Sequence, residues 1–238
     1  MRSRASRFGA IIAAGLLLAV VVAALVVVAG GSSGNGVASK SPAAIITAAE
    51  AAAAGLKSGH VDGAFGRVSS LNFDFVAGKG TSESISYKGG SMQFILIGSV
   101  LYEKGAALSS DVASVSHLAP SAAAKLKGRW LQTPPADGDG GLDGFATSVR
   151  GLLAQFLAGH GALTKGATST VDGVKVVAVN NRKLGWTLYV ATSGKPYPIE
   201  MIGTAAHRAR VVFDDFNAPI SLSAPAHPVN LAKLEKGF

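Results

Sequence analysis

Ser70-Leu71-Asn72-Phe73-Asp74-Phe75 is the stretch that decides how this chain folds. Apolar Leu71, Phe73 and Phe75 alternate with polar Ser70, Asn72 and Asp74, the period-two pattern of a strand with one dry and one wet face. The theme continues through Ile85 and Tyr87, then Met92, Phe94 and Leu96, then Val100 and Tyr102. Between these runs stand Gly78-Lys79-Gly80, Lys88-Gly89-Gly90, Gly98-Ser99 and Lys104-Gly105, breaks of the kind that turn a hairpin. His60 to Gly105 therefore reads as an antiparallel meander.

Working outward, a helix precedes the meander. Ser41 is placed to cap it and Pro42 to open it, and Ile45, Ile46, Ala49, Ala53 and Leu56 recur at helical spacing up to a stop at Gly59. Beyond the meander the pattern is less regular. Pro120 to Lys127 reads as a short helix, Trp130-Leu131 as a brief strand and Thr133 to Gly141 as a loop. Asp143 is placed to cap a second amphipathic helix whose one face carries Leu142, Phe145, Val149, Leu152, Leu153, Phe156 and Leu157, with Gly159 ending it. Strands then return. Asp172-Gly173 marks a tight turn into Val174, Val176 and Ala178 on one face. Trp186, Leu188 and Val190 alternate with Thr187, Tyr189 and Ala191, and Ile199 to Ile202 follows the turn at Ser193-Gly194-Lys195-Pro196. Ala209 to Phe216 and Ile220 to Leu222 read as the last strands, and the tail from Pro225 as extended cover. Helix, meander, helix, meander is an α+β layer plan: one large antiparallel sheet packed against two main amphipathic helices.

Arg2, Arg4 and Arg7 precede an uncharged apolar run from Phe8 to Gly31. At roughly 1.5 Å per residue, Ala10 to Ala29 is long enough for the hydrocarbon core of a bilayer. Residues 1–31 therefore read as an N-terminal transmembrane helix with its arginines on the cytoplasmic side, or as a signal sequence cleaved after Val27-Val28-Ala29. Residues 32–41 read as a flexible Gly/Ser linker, and 42–238 as one extracytoplasmic domain. The chain has no cysteine, which excludes disulfides, thiolate metal sites and thiol nucleophiles. Its net charge of +8 falls to +5 without the three leading arginines (19 − 14). The remaining basic residues are scattered, so no stripe for nucleic acid is present.

No catalytic residue is assigned. Gly30-Gly31-Ser32-Ser33-Gly34 matches G-x-S-x-G, a motif that works only between a strand and a helix. Asp137, Asp139 and Asp143 lack the glycine and glutamate of a calcium loop, with Leu142 and Ser148 in their places. The five histidines, His60, His117, His160, His207 and His227, show no ligand spacing. Asp214 and Asp215, adjacent on a strand, would point to opposite faces. No metal and no cofactor follows from these residues.

The order of several short passages resembles the LolA-like proteins, and more closely the actinobacterial LppX/LprG-type lipoproteins. These passages are Leu56-Lys57-Ser58-Gly59-His60, Gly98-Ser99-Val100-Leu101-Tyr102-Glu103-Lys104 and Gly128-Arg129-Trp130-Leu131. They continue with Val171 to Val176, Leu188-Tyr189-Val190-Ala191 running on to Pro198, and Val212-Phe213-Asp214-Asp215-Phe216. Leu25 to Gly31 resembles a lipobox with Gly31 where the lipid-bearing cysteine would stand. The resemblance implies a strongly curved antiparallel sheet, a half-barrel, closed on one side by helices around an apolar cavity for acyl chains. Such a face either packs against helix side chains or leaves room for a ligand. Phe73, Phe75, Phe94, Leu96, Trp186, Leu188, Val190, Met201 and Phe213 are its candidate residues. The implied function is a membrane-tethered protein outside the cytoplasm that binds and transfers an acylated lipid or lipoglycan without catalysis, with a protein partner in the transfer compatible with this role. The alternative is an envelope sensor or assembly module with a filled core.

Overall fold

The structure is a computed structural model that describes residues 34–105, 126–133, 147–204, 208–231 and 233. The apolar run of residues 8–31, the G-x-S-x-G serines, all but Leu126 and Lys127 of the short helix expected over Pro120 to Lys127, and the aspartate loop lie outside the described residues, as do His117, His207, Leu142, Asp143 and Phe145; Leu126 and Lys127 lie in a turn. Among the described residues no helix is long and apolar enough to cross a membrane.

Asn35, one residue into the described chain, docks on the sheet. Its backbone N–H donates to Thr192 O at 2.8 Å and its Nδ2 to Ala191 O at 3.0 Å, and a 3-10 turn, Val37–Ser39, buries Val37. The stretch expected to be a free linker is thus tied down from Asn35 onward, because an asparagine side chain there replaces missing backbone partners. Helix α1, Pro42–Ala54, begins as its sequence dictates: Ser41 Oγ accepts the Ala44 N–H at 3.3 Å, and Pro42 loses no helical bond by lacking an N–H. Ile45, Ile46, Ala49 and Ala53 are its buried face. The helix stops at Gly55 rather than at Gly59. Gly59 instead lies in the first strand, where a Cβ would come within 2.9 Å of Val149 Cγ2.

That strand, β1 (Ser58–Phe65), leads a five-strand meander with β2 (Val68–Val76), β3 (Gly80–Tyr87), β4 (Gly90–Ile97) and β5 (Val100–Gly105). The β1–β2 hairpin, turning at Gly66-Arg67, was hidden in the sequence because β1 (SGHVDGAF) lacks an alternating apolar run. After β6 (Leu131–Thr133) comes helix α2, Val149–Leu157, capped by Ser148, whose Oγ accepts the Gly151 N–H at 3.0 Å. Asp143 is therefore not its cap. A second meander follows in β7 (Leu163–Val171), β8 (Val174–Asn181), β9 (Trp186–Ala191), β10 (Pro198–Gly203) and β11 (Ala209–Asp214). Asp172 and Gly173 both take positive φ between β7 and β8, the turn whose twist matches paired strands.

β11 then pairs antiparallel with β1, so among the described residues both meanders belong to one twelve-strand sheet in the order β12-β6-β5-β4-β3-β2-β1-β11-β10-β9-β8-β7. A sheet this wide must curl to remain twisted. Two sequence expectations fail at the tail. Ile220 to Leu222 form no strand, and Val229–Asn230 (β12) pairs parallel with β6, the one exception to an antiparallel sheet among the described residues.

The register fixes which residues share a face. Across β8 to β5, the rows Val177–Val190, Val179–Leu188–Met201–Val211, Phe213–Val61–Phe73–Glu83–Phe94 and Phe75–Thr81–Leu96–Leu101 run side by side. α1 and α2 cover this face over β1, β7, β8 and β10. In β8 the helix-side residues are Val177 and Val179, not Val174, Val176 and Ala178. Val176 to Val179 are all buried, so no alternation marked the inward face.

Candidate functional site

All nine apolar residues singled out in the sequence lie on the helix-side face, and all are buried. They do not form one lining. Phe73, Phe75, Trp186, Leu188, Val190, Met201 and Phe213 belong to the main core, packed with Ile45, Ala49, Leu152 and Leu153 of the helices. Phe94 and Leu96 form a separate cluster with Leu101, flanked by Ile85 and Met92. Phe73 is fully buried between Val61 and Glu83 and is therefore packing, not cavity wall. Burial raises the Glu83 carboxyl above its ordinary range, since a charge there loses water while flanked by Phe73 and Phe94.

An open cavity of about 480 Å³ lies at one end of this face. Seating of α2 produces it. Val149 at the head of the helix rests against Gly59, and Phe156 near its tail meets Phe65 edge-on, with centroids 5.1 Å apart and an interplanar angle of 79°. Beyond this aromatic pair the helix has ended while the sheet continues. Phe65, Phe156, Leu184, Trp186 and Met201 supply the apolar wall, and Arg208 is the charged side chain. Gly66, Gly185 and Gly203 contribute no side chains to fill the space. Trp186 and Met201 are thus the two sequence candidates that line it. Phe65, Leu184 and Arg208 went unnoticed because each sits at a strand end or in a turn, outside any alternating run.

A second cavity, of about 520 Å³, is bordered by Val174, Ala191, Tyr197, Val212 and Phe216. Tyr197 and Phe216 stack at 4.4 Å. Asp214 and Asp215 both line this cavity, contrary to the opposite-face expectation, because Asp215 leaves the strand with φ 47°. Burial is the main cause holding the Asp214 carboxyl above its ordinary range. The His60 charge pulls it down, and the Asp215, Asp62 and Asp74 carboxylates push it up. His60 Nδ1 lies 2.7 Å from Asp74 Oδ1, an ordinary strand-to-strand pair. Among the described residues no group of His, Asp or Glu converges as metal ligands do.

No family model matches the chain, and no curated protein matches it. Solved structures do. Among the described residues, a mostly antiparallel open sheet with two helices on one face is the class of fold this chain adopts. The crystal structure of LprF from Mycobacterium bovis has a similar fold, with a TM-score of 0.50 at 13% identity over 82% of this chain and 100% of that one. The lipoprotein LppX from Mycobacterium tuberculosis gives a TM-score of 0.45 at 15% identity, over 76% and 98% of the two chains.

Proposed function

We propose that this protein binds the acyl chain of a lipid or lipoglycan in the cavity beneath the tail of α2 and carries it without chemical change. The observation that carries this reading is the wall of Phe65, Phe156, Leu184, Trp186 and Met201 around an open space of about 480 Å³. This volume lies within the usual 300–1,000 Å³ of ligand pockets. Burying each acyl methylene contributes about 0.8 kcal/mol, so part of one chain suffices for useful affinity. The LprF-like fold supports the same reading, as does the resemblance of the passages quoted above to LppX/LprG-type lipoproteins. The apolar run of residues 8–31 would hold the domain at the outer face of the cell membrane, or release it if cleaved. Lipid transfer to a protein partner fits this placement.

The packed core around Phe73, Leu188 and Val190 favours a second reading, an envelope sensor or assembly module that holds no lipid. One experiment separates the two. The full chain is placed in phosphatidylglycerol vesicles containing a phospholipid with a diazirine on one acyl chain, irradiated, digested and sequenced by mass spectrometry. Acyl binding yields labelled peptides carrying Phe65, Phe156 or Met201. Label confined to residues 8–31 would overturn acyl binding and favour the module.

A further inference from the structure

Charge on this sheet is sorted by end. Phe65 pairs with Ala209, Gly203 with Trp186, and Asn181 with both Trp186 and Leu163. The β1–β2 turn, the β8–β9 turn, the β10–β11 connection and the start of β7 therefore lie at one end of the sheet, beside the tail of α2. Arg67, Arg182, Lys183 and Arg208 are exposed there, and residues 64–68, 158–163, 181–186 and 202–210 contain no Asp or Glu. Among the described residues Arg67, Arg182 and Arg208 form no ion pair, while Lys183 Nζ donates to Gly159 O just past α2 at 3.5 Å. The far end mixes its signs: Lys79, Lys175 and Lys195 stand in or beside the same turns as Asp172, Asp214 and Asp215.

Arg208 stands where this charge meets the apolar cavity. It lines the space of about 480 Å³ together with Phe65, Phe156 and Met201. It also borders a more open space of about 390 Å³, walled by Ala64, Gly203, Thr204, Ala209 and Arg210. The two spaces share Gly203, Arg208 and Ala209, so they adjoin around this side chain. Arg210 is already engaged, with Nε 2.6 Å from Glu200 Oε1 and Nη2 3.7 Å from Asp172 Oδ2. Arg208 thus brings a guanidinium without an ion pair, among the described residues, to the junction of an apolar space and one lined mainly by small residues. A guanidinium presents its donors as a fork that matches a phosphate or carboxylate. Neighbouring charges of one sign raise the local concentration of an anion further.

We propose that this end of the sheet selects lipids whose headgroup carries a fixed negative charge, such as a phosphodiester, with Arg208 as the anion contact. Arg67, Arg182 and Lys183 supply the surrounding field. The inference rests on the acyl-binding reading above and narrows it from any acylated molecule to anionic ones. The acyl chain lies along Phe65, Phe156 and Met201, the charged group meets Arg208, and the remainder of the headgroup occupies the 390 Å³ space. Because one side chain lines both spaces, an anion held by Arg208 belongs to the molecule that fills the apolar cavity.

The probes are phosphatidylglycerol and diacylglycerol carrying the same diazirine acyl chain, alike except for the charged headgroup. Each is added in trace amount to the full chain in non-ionic maltoside micelles and irradiated. Label in peptides carrying Phe65, Phe156 or Met201 is then measured against label in residues 8–31. The anionic probe should label these cavity peptides about tenfold more than the neutral one, the worth of one charge-assisted hydrogen bond at a partly exposed site. Arg208→Gln should remove most of that preference and leave the neutral probe unchanged. A variant combining Lys79→Gln, Lys175→Gln and Lys195→Gln loses more charge from the far end and should keep the preference. Equal labelling by the two probes, an unchanged preference in Arg208→Gln, or an equal loss in the far-end variant would each overturn the inference and leave acyl binding standing. Removal of the preference by millimolar glycerol phosphate would overturn a lipid headgroup as the occupant and assign the anion site to soluble phosphate esters. Cavity peptides labelled by neither probe would overturn the inference and the acyl-binding reading together. Comparing the two probes on the parent chain decides the matter even if a variant folds poorly.

Discussion

Replacing Phe73 with alanine tests whether the helix-covered face is solid. Phe73 is fully buried, sits between Val61 and Glu83 across its neighbouring strands, and belongs to the cluster that contains Ile45 and Leu153 of the two helices. A side chain so enclosed leaves a hole that its surroundings only partly fill, and Phe→Ala at such sites costs about 3–5 kcal/mol. For a domain of roughly 200 residues, each kcal/mol moves the melting temperature by about 2–4 °C. Phe73→Ala should therefore lower Tm by roughly 6–20 °C in the lipid-free full chain, followed by near-ultraviolet circular dichroism in micelles. Met201→Ala, which also borders the open cavity, should cost less. A loss below about 1 kcal/mol at Phe73 would refute the reasoning, because a ring facing empty space has few contacts to lose.

Three further outcomes follow from named features. Glu83 holds its proton to higher pH in the folded chain than in the unfolded one, so its ionisation weakens the fold as pH rises from 4.5 through its raised value. Glu83→Gln should be more stable than the parent in urea at pH 7, with the advantage vanishing below pH 4.5; a constant advantage would exclude this carboxyl as the cause. A Cβ at Gly63 would collide with Arg210 O on β11, so Gly63→Ala should cost on the order of 3 kcal/mol, and an unchanged urea midpoint would show that the β1–β11 seam yields. Met201→Asp should abolish retention of a photoactivatable acyl chain while Phe94→Leu, in its separate cluster, keeps it; loss in Phe94→Leu alone would move the site.

Much of the fold was legible because half-buried strands write their faces into the sequence. Leu71, Phe73 and Phe75 marked the inward face of β2, and Trp186, Leu188 and Val190 that of β9. The same rule failed at Val176 to Val179, where burial on both sides removes the alternation. It could not reveal that β11 pairs with β1, since pairing between distant strands depends on the whole sheet. Whether the shared face is filled was equally illegible. Phe73 and Met201 look alike in an alternating run, yet one is locked beneath the helices and the other borders a cavity, and the difference lies in where α2 ends. Trp186 read simply as apolar surface; that its N–H is buried without a hydrogen-bond partner among the described residues appears only once the sheet is assembled.

The β1–β11 seam also sets a timetable for synthesis. His60 pairs with Asp214, so about 150 residues separate the first strand of the seam from its partner. At 5–20 residues per second, β11 leaves the ribosome about 8–30 s after β1. Throughout that interval β1 is paired on one side only, by β2, and presents a bare backbone edge to any other extended chain. Neither half can be finished alone: the nascent first meander waits with an open edge, and the last strand of the second meander closes it.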